Sequence, residues 1–142
     1  MKCSESKYAA CLYFASNALA RKMEKLAIES WKPVGLSPSH AYLLRMVLEE
    51  PGVQPGTIAG HLQLTPSTVT RLIEKLEEKK LLIRTTEGKQ TNVYPTPKAK
   101  SLQPQMQQCL HDFYQKGNDI FGNDEYSQVV SSIKKMADKI EV

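Results

Sequence analysis

The chain has 142 residues, 41% hydrophobic and 24% charged, with 19 lysines and arginines against 15 aspartates and glutamates. That length suits one domain whose core needs no disulfide or metal to hold it. No apolar run approaches the roughly 18 residues of a membrane span, and the apolar residues are too plentiful and periodic for a disordered chain. Lys2, Lys7 and the apolar stretch 8–15 faintly imitate a secretory leader, but Glu5 interrupts the basic part and the apolar spacing runs on past Ala20. Cys3, Cys11 and Cys109 lack metal-ligand spacing and are expected to be reduced thiols in a cytoplasmic protein.

In chain order, Tyr8, Leu12, Ala15, Leu19, Met23 and Leu26 recur every three or four positions and predict a long amphipathic helix over 8–27. Residues 31–35 break it. Ser37 as cap and Pro38 at the first helical position start a second helix that runs to about Glu50, where Pro51-Gly52 ends it. A short helix over 55–62 follows, then a tight connection at Gln63-Leu64. Thr65-Pro66 opens a further helix with Val69, Leu72, Ile73 and Leu76 as its buried stripe. Residues 81–86 and 91–94 are two strands around the turn 87–90. Thr96-Pro97 begins a helix striped by Leu102, Met106, Cys109, Leu110 and Phe113. Residues 117–124 are a polar break, and Tyr126, Val129, Val130, Ile133, Met136 and Ile140 mark the last helix.

Charge is distributed unevenly along this order. Residues 55–100 carry eight cations against four anions, while the rest of the chain carries eleven of each sign. A basic centre in a neutral frame suits a module that binds a polyanion.

Within that centre, residues 55–80 have the layout of a helix-turn-helix. Ala59 is small where two helices must cross closely, and Val69 and Leu72 pack back on the first helix. Ser67, Thr68, Thr70, Arg71, Glu74 and Lys75 are left on outward or partly outward faces. The N-terminal part of such a second helix enters the major groove of double-stranded DNA, where arginine pairs with guanine and the helix start favours a phosphate. The hairpin that follows makes the motif winged. Arg84 lies on its first strand, and Lys89 and Gln90 lie at its tip. The expected DNA contacts are therefore Ser67, Thr68, Thr70, Arg71, Lys75, Arg84, Lys89 and Gln90.

The stretch Leu64 to Leu76, with Leu81 to Arg84 and Thr96-Pro97, resembles the MarR family of bacterial transcription regulators. The resemblance implies a mainly α, winged helix-turn-helix homodimer. Its DNA-binding lobe would span 36–95, with dimerisation helices in 1–34 and 97–142. It also implies a repressor on a pseudo-palindromic operator, released by a small phenolic ligand or an oxidant. Three features depart from the family pattern. The wing has Glu87-Gly88-Lys89 where Asp-x-Arg is usual, and lysine offers a point charge in place of a planar fork. Gln63 and Lys80 stand where glycines are usual, which predicts two non-glycine residues at positive φ. Pro95 interrupts the second wing strand, as an edge allows.

For sensing, Cys11 lies near a reactive cysteine of the peroxide-sensing branch, but one residue late on the helix, so a buried, inert thiol is preferred. Tyr13, His40 and Tyr42 are candidate lining residues of an effector pocket, with plain core packing as the alternative. No cofactor or metal is expected: His40, His61 and His111 have no ligand spacing and no glycine-rich phosphate loop is present. Ser131 and Lys134 have a Ser-x-x-Lys spacing without companion motifs, so an enzyme is not expected. The competing function is a winged-helix dimer that binds proteins and does not recognise specific DNA.

Overall fold

The computed structural model describes residues 1–141. Seven α-helices and one hairpin follow in the order α1 (Leu12–Trp31), α2 (Pro38–Glu49), α3 (Pro55–Leu62), α4 (Pro66–Glu78), β1 (Leu82–Glu87), β2 (Gln90–Pro95), α5 (Pro97–Ser101), α6 (Gln103–Phe121) and α7 (Asn123–Lys139). The strands are antiparallel, with Leu82 opposite Pro95 and Glu87 opposite Gln90, so the turn is only Gly88-Lys89. Gly88 takes φ 64° there. Pro95 ends β2 on an edge, where its missing N–H interrupts no ladder. A single bridge between Val53 and Val93 adds a third, one-residue arm to the hairpin.

Four helix starts have proline in the first turn behind a residue with extended backbone, and Ser37, Thr65 and Thr96 add a side-chain cap. Proline lacks the N–H that a first turn leaves unsatisfied, and its fixed φ is already helical. The two expected positive-φ residues are present, Gln63 at 55° and Lys80 at 61°. Each closes a helix with paired carbonyl bonds. Leu64 N–H donates to Ala59 O and Gln63 N–H to Gly60 O after α3, while Leu81 N–H donates to Leu76 O and Lys80 N–H to Glu77 O after α4. This is the Schellman arrangement without its usual glycine. Gln63 adds a side-chain bond to Gly60 O at 2.8 Å, which offsets part of the strain.

The core sits where α1, α2, α3, α4 and the hairpin meet. Trp31, Leu43, Leu44, Val47, Ile58, Val69, Ile73, Leu76, Leu82 and Val93 are buried there. Trp31, which ends α1, is central to it and stands edge-on to Tyr42, 5.9 Å between ring centroids.

Four expectations are corrected. First, α1 starts at Leu12, not Tyr8: the Ser6 hydroxyl accepts from Tyr8 N–H at 3.1 Å, and the Tyr8 ring lies against Phe14 at 6.0 Å. A side chain that captures a nearby backbone N–H competes with helix formation. Cys11 is thus the extended residue before α1, and it is exposed, not buried. Second, the helix after Thr96 is two helices, because Pro104 cannot donate a helical bond to Lys100 and its ring crowds that carbonyl. Third, residues 117–121 are not a break; α6 runs on to Phe121, and Gly122 at φ 86° makes the turn. Gly117 is buried against the ring of Tyr126 on α7. Fourth, Ile140 lies just beyond α7. The final residue of the expected 97–142 span, Val142, lies outside the described residues.

Gly117→Ala should therefore destabilise the protein. The added methyl collides with the Tyr126 ring, and overpacking of this kind costs about 1–3 kcal/mol. Thermal denaturation of the variant beside the wild type checks this, and an unchanged melting temperature would show that the ring moves freely.

Candidate nucleic-acid interface

Helix α4 carries the residues expected to touch DNA. Its inward stripe, Val69, Ile73 and Leu76, is buried, which turns Ser67, Thr70, Arg71, Glu74 and Lys75 outward, with Thr68 half-buried. The Thr65 hydroxyl receives Thr68 N–H and lies 2.9 Å from the Thr68 hydroxyl and 3.3 Å from that of Ser67. Thr70 donates to Pro66 O at 3.0 Å. These short bonds hold three hydroxyls in order around the helix start, where unsatisfied backbone N–H groups favour an anion.

The cations on this face differ in how free they are. Lys75 is 3.4 Å from Glu78. Arg71 is exposed and, among the described residues, has no carboxylate within ion-pair distance. It is the fork available for a base edge.

Arg84 is held differently from what its sequence position suggests. Its guanidinium lies 2.7 Å from Glu77 at the end of α4, with both side chains about one-third exposed. The pair ties the first wing strand to α4. Thr96 and Lys98 reinforce the same joint, donating to Lys80 O at 2.8 Å and Lys79 O at 3.0 Å, where a helix C-terminus favours donors and cations. Lys89 and Gln90 are exposed at the hairpin tip, where Lys89 stands in the two-residue turn. Glu77→Ala should weaken DNA binding only a few-fold by loosening the wing, since a half-exposed ion pair contributes at most about 1 kcal/mol. Arg84→Ala should lose more if the guanidinium also reaches a phosphate, and a double-mutant cycle read by DNA affinity separates the two roles.

The candidate sensing residues are not brought together. Tyr42 lines a cleft of about 500 Å3 between α1, α2, α3 and α6, facing Met23, Ala27 and Phe113. Burial raises its hydroxyl pKa, and Arg45 only partly opposes that. Tyr13 is exposed on the first turn of α1 and lies outside that cleft. His40 points elsewhere too: its ring bonds the Ser37 hydroxyl, and burial, with help from the charges of Lys79 and Lys75, holds its imidazole below the ordinary value. Cys109 is buried on α6, and burial with Asp112 nearby pushes its thiol up, as suits an inert packing group. Glu24, His61 and Leu62, which also line the cleft, were not among the candidates. Glu24 is an outward residue of an otherwise regular helix pattern, and nothing local marks it.

Among the described residues no three His, Cys, Asp or Glu side chains cluster as a metal site, and no helix is long and apolar enough to cross a membrane.

The fold is a winged helix-turn-helix between flanking helices, and the MarR-family model matches residues 34–90, which cover α2, α3, α4 and most of the hairpin. Over those residues the chain is similar to the MarR family. The HTH-type transcriptional repressor MdtR of Bacillus subtilis (strain 168) is 29% identical over 76 residues, covering 54% of this chain and 49% of that protein, so the match spans about half of that relative's length. The MarR fold extends over nearly the whole chain. The repressor CouR bound to p-coumaroyl-CoA superposes with a TM-score of 0.85 at 17% identity, covering 96% of this chain and 98% of that one. The S. aureus MepR–DNA complex gives 0.78 at 19% identity, with 91% and 98% covered. At such identities the likeness shows the fold. Ser131 is half-buried and Lys134 exposed on α7, outside the matched residues.

Proposed function

We propose that this protein is a MarR-type homodimeric repressor that binds a pseudo-palindromic operator through Ser67, Thr68, Thr70, Arg71 and Lys75, with Lys89 and Gln90 on the wing and Arg84 bracing it. The observation that carries this is Arg71, exposed and without an ion pair among the described residues, beside the ordered hydroxyls on the outward face of α4. The MepR relative was solved on DNA, and its fold spans this chain. Dimerisation is assigned to residues 1–34 and 97–142, whose helices α1 and α7 leave Leu12, Leu19, Ile133 and Met136 exposed in a single subunit. Two recognition helices so joined would enter major grooves about one turn, roughly 34–36 Å, apart.

Release by a small molecule is assigned to the cleft at Tyr42, which lies between the flanking helices and the DNA-binding lobe. CouR was solved bound to p-coumaroyl-CoA. Occupation of this cleft would alter the separation of the two lobes, and equal lobe spacing in free and ligand-bound protein would refute that. An oxidant signal has less support, because Cys11 is the extended residue before α1 and sits one position late for the peroxide-sensing cysteine it resembles.

Selection of duplexes from a random pool, at low and physiological salt, tests the reading. An enriched palindrome that survives physiological salt is the expected result. Binding without enrichment that collapses with salt would leave phosphate contacts only. No binding at either salt would favour the protein-interaction module.

A further inference from the structure

The chain as a whole is basic, yet the cleft is not. Its walls are the apolar and aromatic side chains Met23, Tyr42, Leu62 and Phe113, and the one full charge among its lining residues is Glu24. Glu24 is exposed and, among the described residues, forms no ion pair. A second cleft of about 510 Å3 shares Tyr42, His61 and Leu62 with the first and adds Glu49, Glu50 and Arg45. Arg45 lies 3.4 Å from Glu49 and is thereby engaged. The two clefts together are lined by three carboxylates, one guanidinium already paired, and no lysine.

Such a lining discriminates by charge. A carboxylate or phenolate entering between Tyr42 and Phe113 would meet Glu24 with, among the described lining residues, no lysine or arginine free to pair with it. A cation gains twice, from the Glu24 carboxylate and from the electron-rich faces of the rings. We propose that the cleft takes a hydrophobic organic cation, with Glu24 as its counter-ion. The proposal rests on the reading that this cleft receives the effector, and it replaces a phenolic anion with a ligand of opposite charge.

Calorimetry on the intact protein, with benzyltrimethylammonium and salicylate as probes of similar size, tests it. The expected result is that the cation binds about tenfold tighter than salicylate, the worth of one exposed ion pair plus a cation–π contact. Glu24→Gln should remove most of that preference and Glu24→Lys should reverse it. Both changes lie on an exposed helix face, so unchanged melting curves are expected. Salicylate binding as tightly as the cation, cation binding indifferent to Glu24→Gln, or no cation binding up to millimolar concentration would each overturn the proposal.

Anisotropy of a labelled, selected operator separates this outcome from the broader reading. Cation binding that leaves operator affinity unchanged supports the charge preference and refutes an effector role. An intact operator response with salicylate as the tighter ligand refutes the charge preference alone.

Discussion

Arg71→Ala is expected to lower affinity for the selected operator by about 100-fold or more at physiological salt, with the dimer and its melting temperature unchanged. A bidentate arginine–guanine pair is worth about 1–3 kcal/mol, and a symmetric dimer loses one at each half-site. Folding should not suffer, because Arg71 is exposed and pairs with no carboxylate in the described structure, and surface substitutions of that kind stay within about 0.5 kcal/mol. The pattern of loss across sequences is as informative as its size. If Arg71 reads a base, the variant relaxes specificity at one position of each half-site. If it touches a phosphate, affinity falls evenly over all duplexes and the salt dependence becomes shallower. Competition binding with single-position operator variants distinguishes these, and full affinity in Arg71→Ala would remove Arg71 from the interface.

The DNA-binding half was legible because its signals are local. Thr65-Pro66 and Thr96-Pro97 fix helix starts within a residue, and the period of Val69, Ile73 and Leu76 fixes which face of α4 is left outward. Even the two positive-φ positions, Gln63 and Lys80, were readable, from the glycines usual there in the family the stretch resembles. What escaped was non-local. The Val53–Val93 bridge has one residue on one side and so no period to detect. Arg84 pairs with Glu77 across a strand–helix joint, and no spacing rule announces that contact. Gly117 imitates a break because glycine commonly ends helices, but here it yields room to Tyr126. His40 and Tyr42 are two residues apart on α2 and so face different ways, one toward Lys75 and Lys79, the other into the cleft. Residues near each other in sequence therefore made a poor guide to a site that is assembled from four helices.

Ile133→Lys combined with Met136→Lys is expected to turn the dimer into monomers and abolish operator binding together. Helix α7 has no buried residue in a single subunit, and Ile133 and Met136 are 42% and 49% exposed on its apolar face, beside a groove that includes Leu19 of α1. A soluble helix with an apolar stripe of this kind requires a partner surface, and a twofold axis presents the same stripe from both subunits. Burying each of these side chains is worth about 1.5–3 kcal/mol, and each occurs twice. The double substitution removes those terms and places four ammonium groups against one another. Sedimentation at micromolar concentration reads the oligomeric state directly, and a variant that stays dimeric would show that another face joins the subunits. DNA binding should fall with dimerisation because the second half-site is reached at an effective concentration set by the link, worth about 10²–10⁴ in affinity. The contrast with Arg71→Ala is the decisive comparison. A repressor loses DNA in both variants but its dimer in only one. A protein-interaction dimer loses its dimer in the α7 variant and is indifferent to the loss of Arg71.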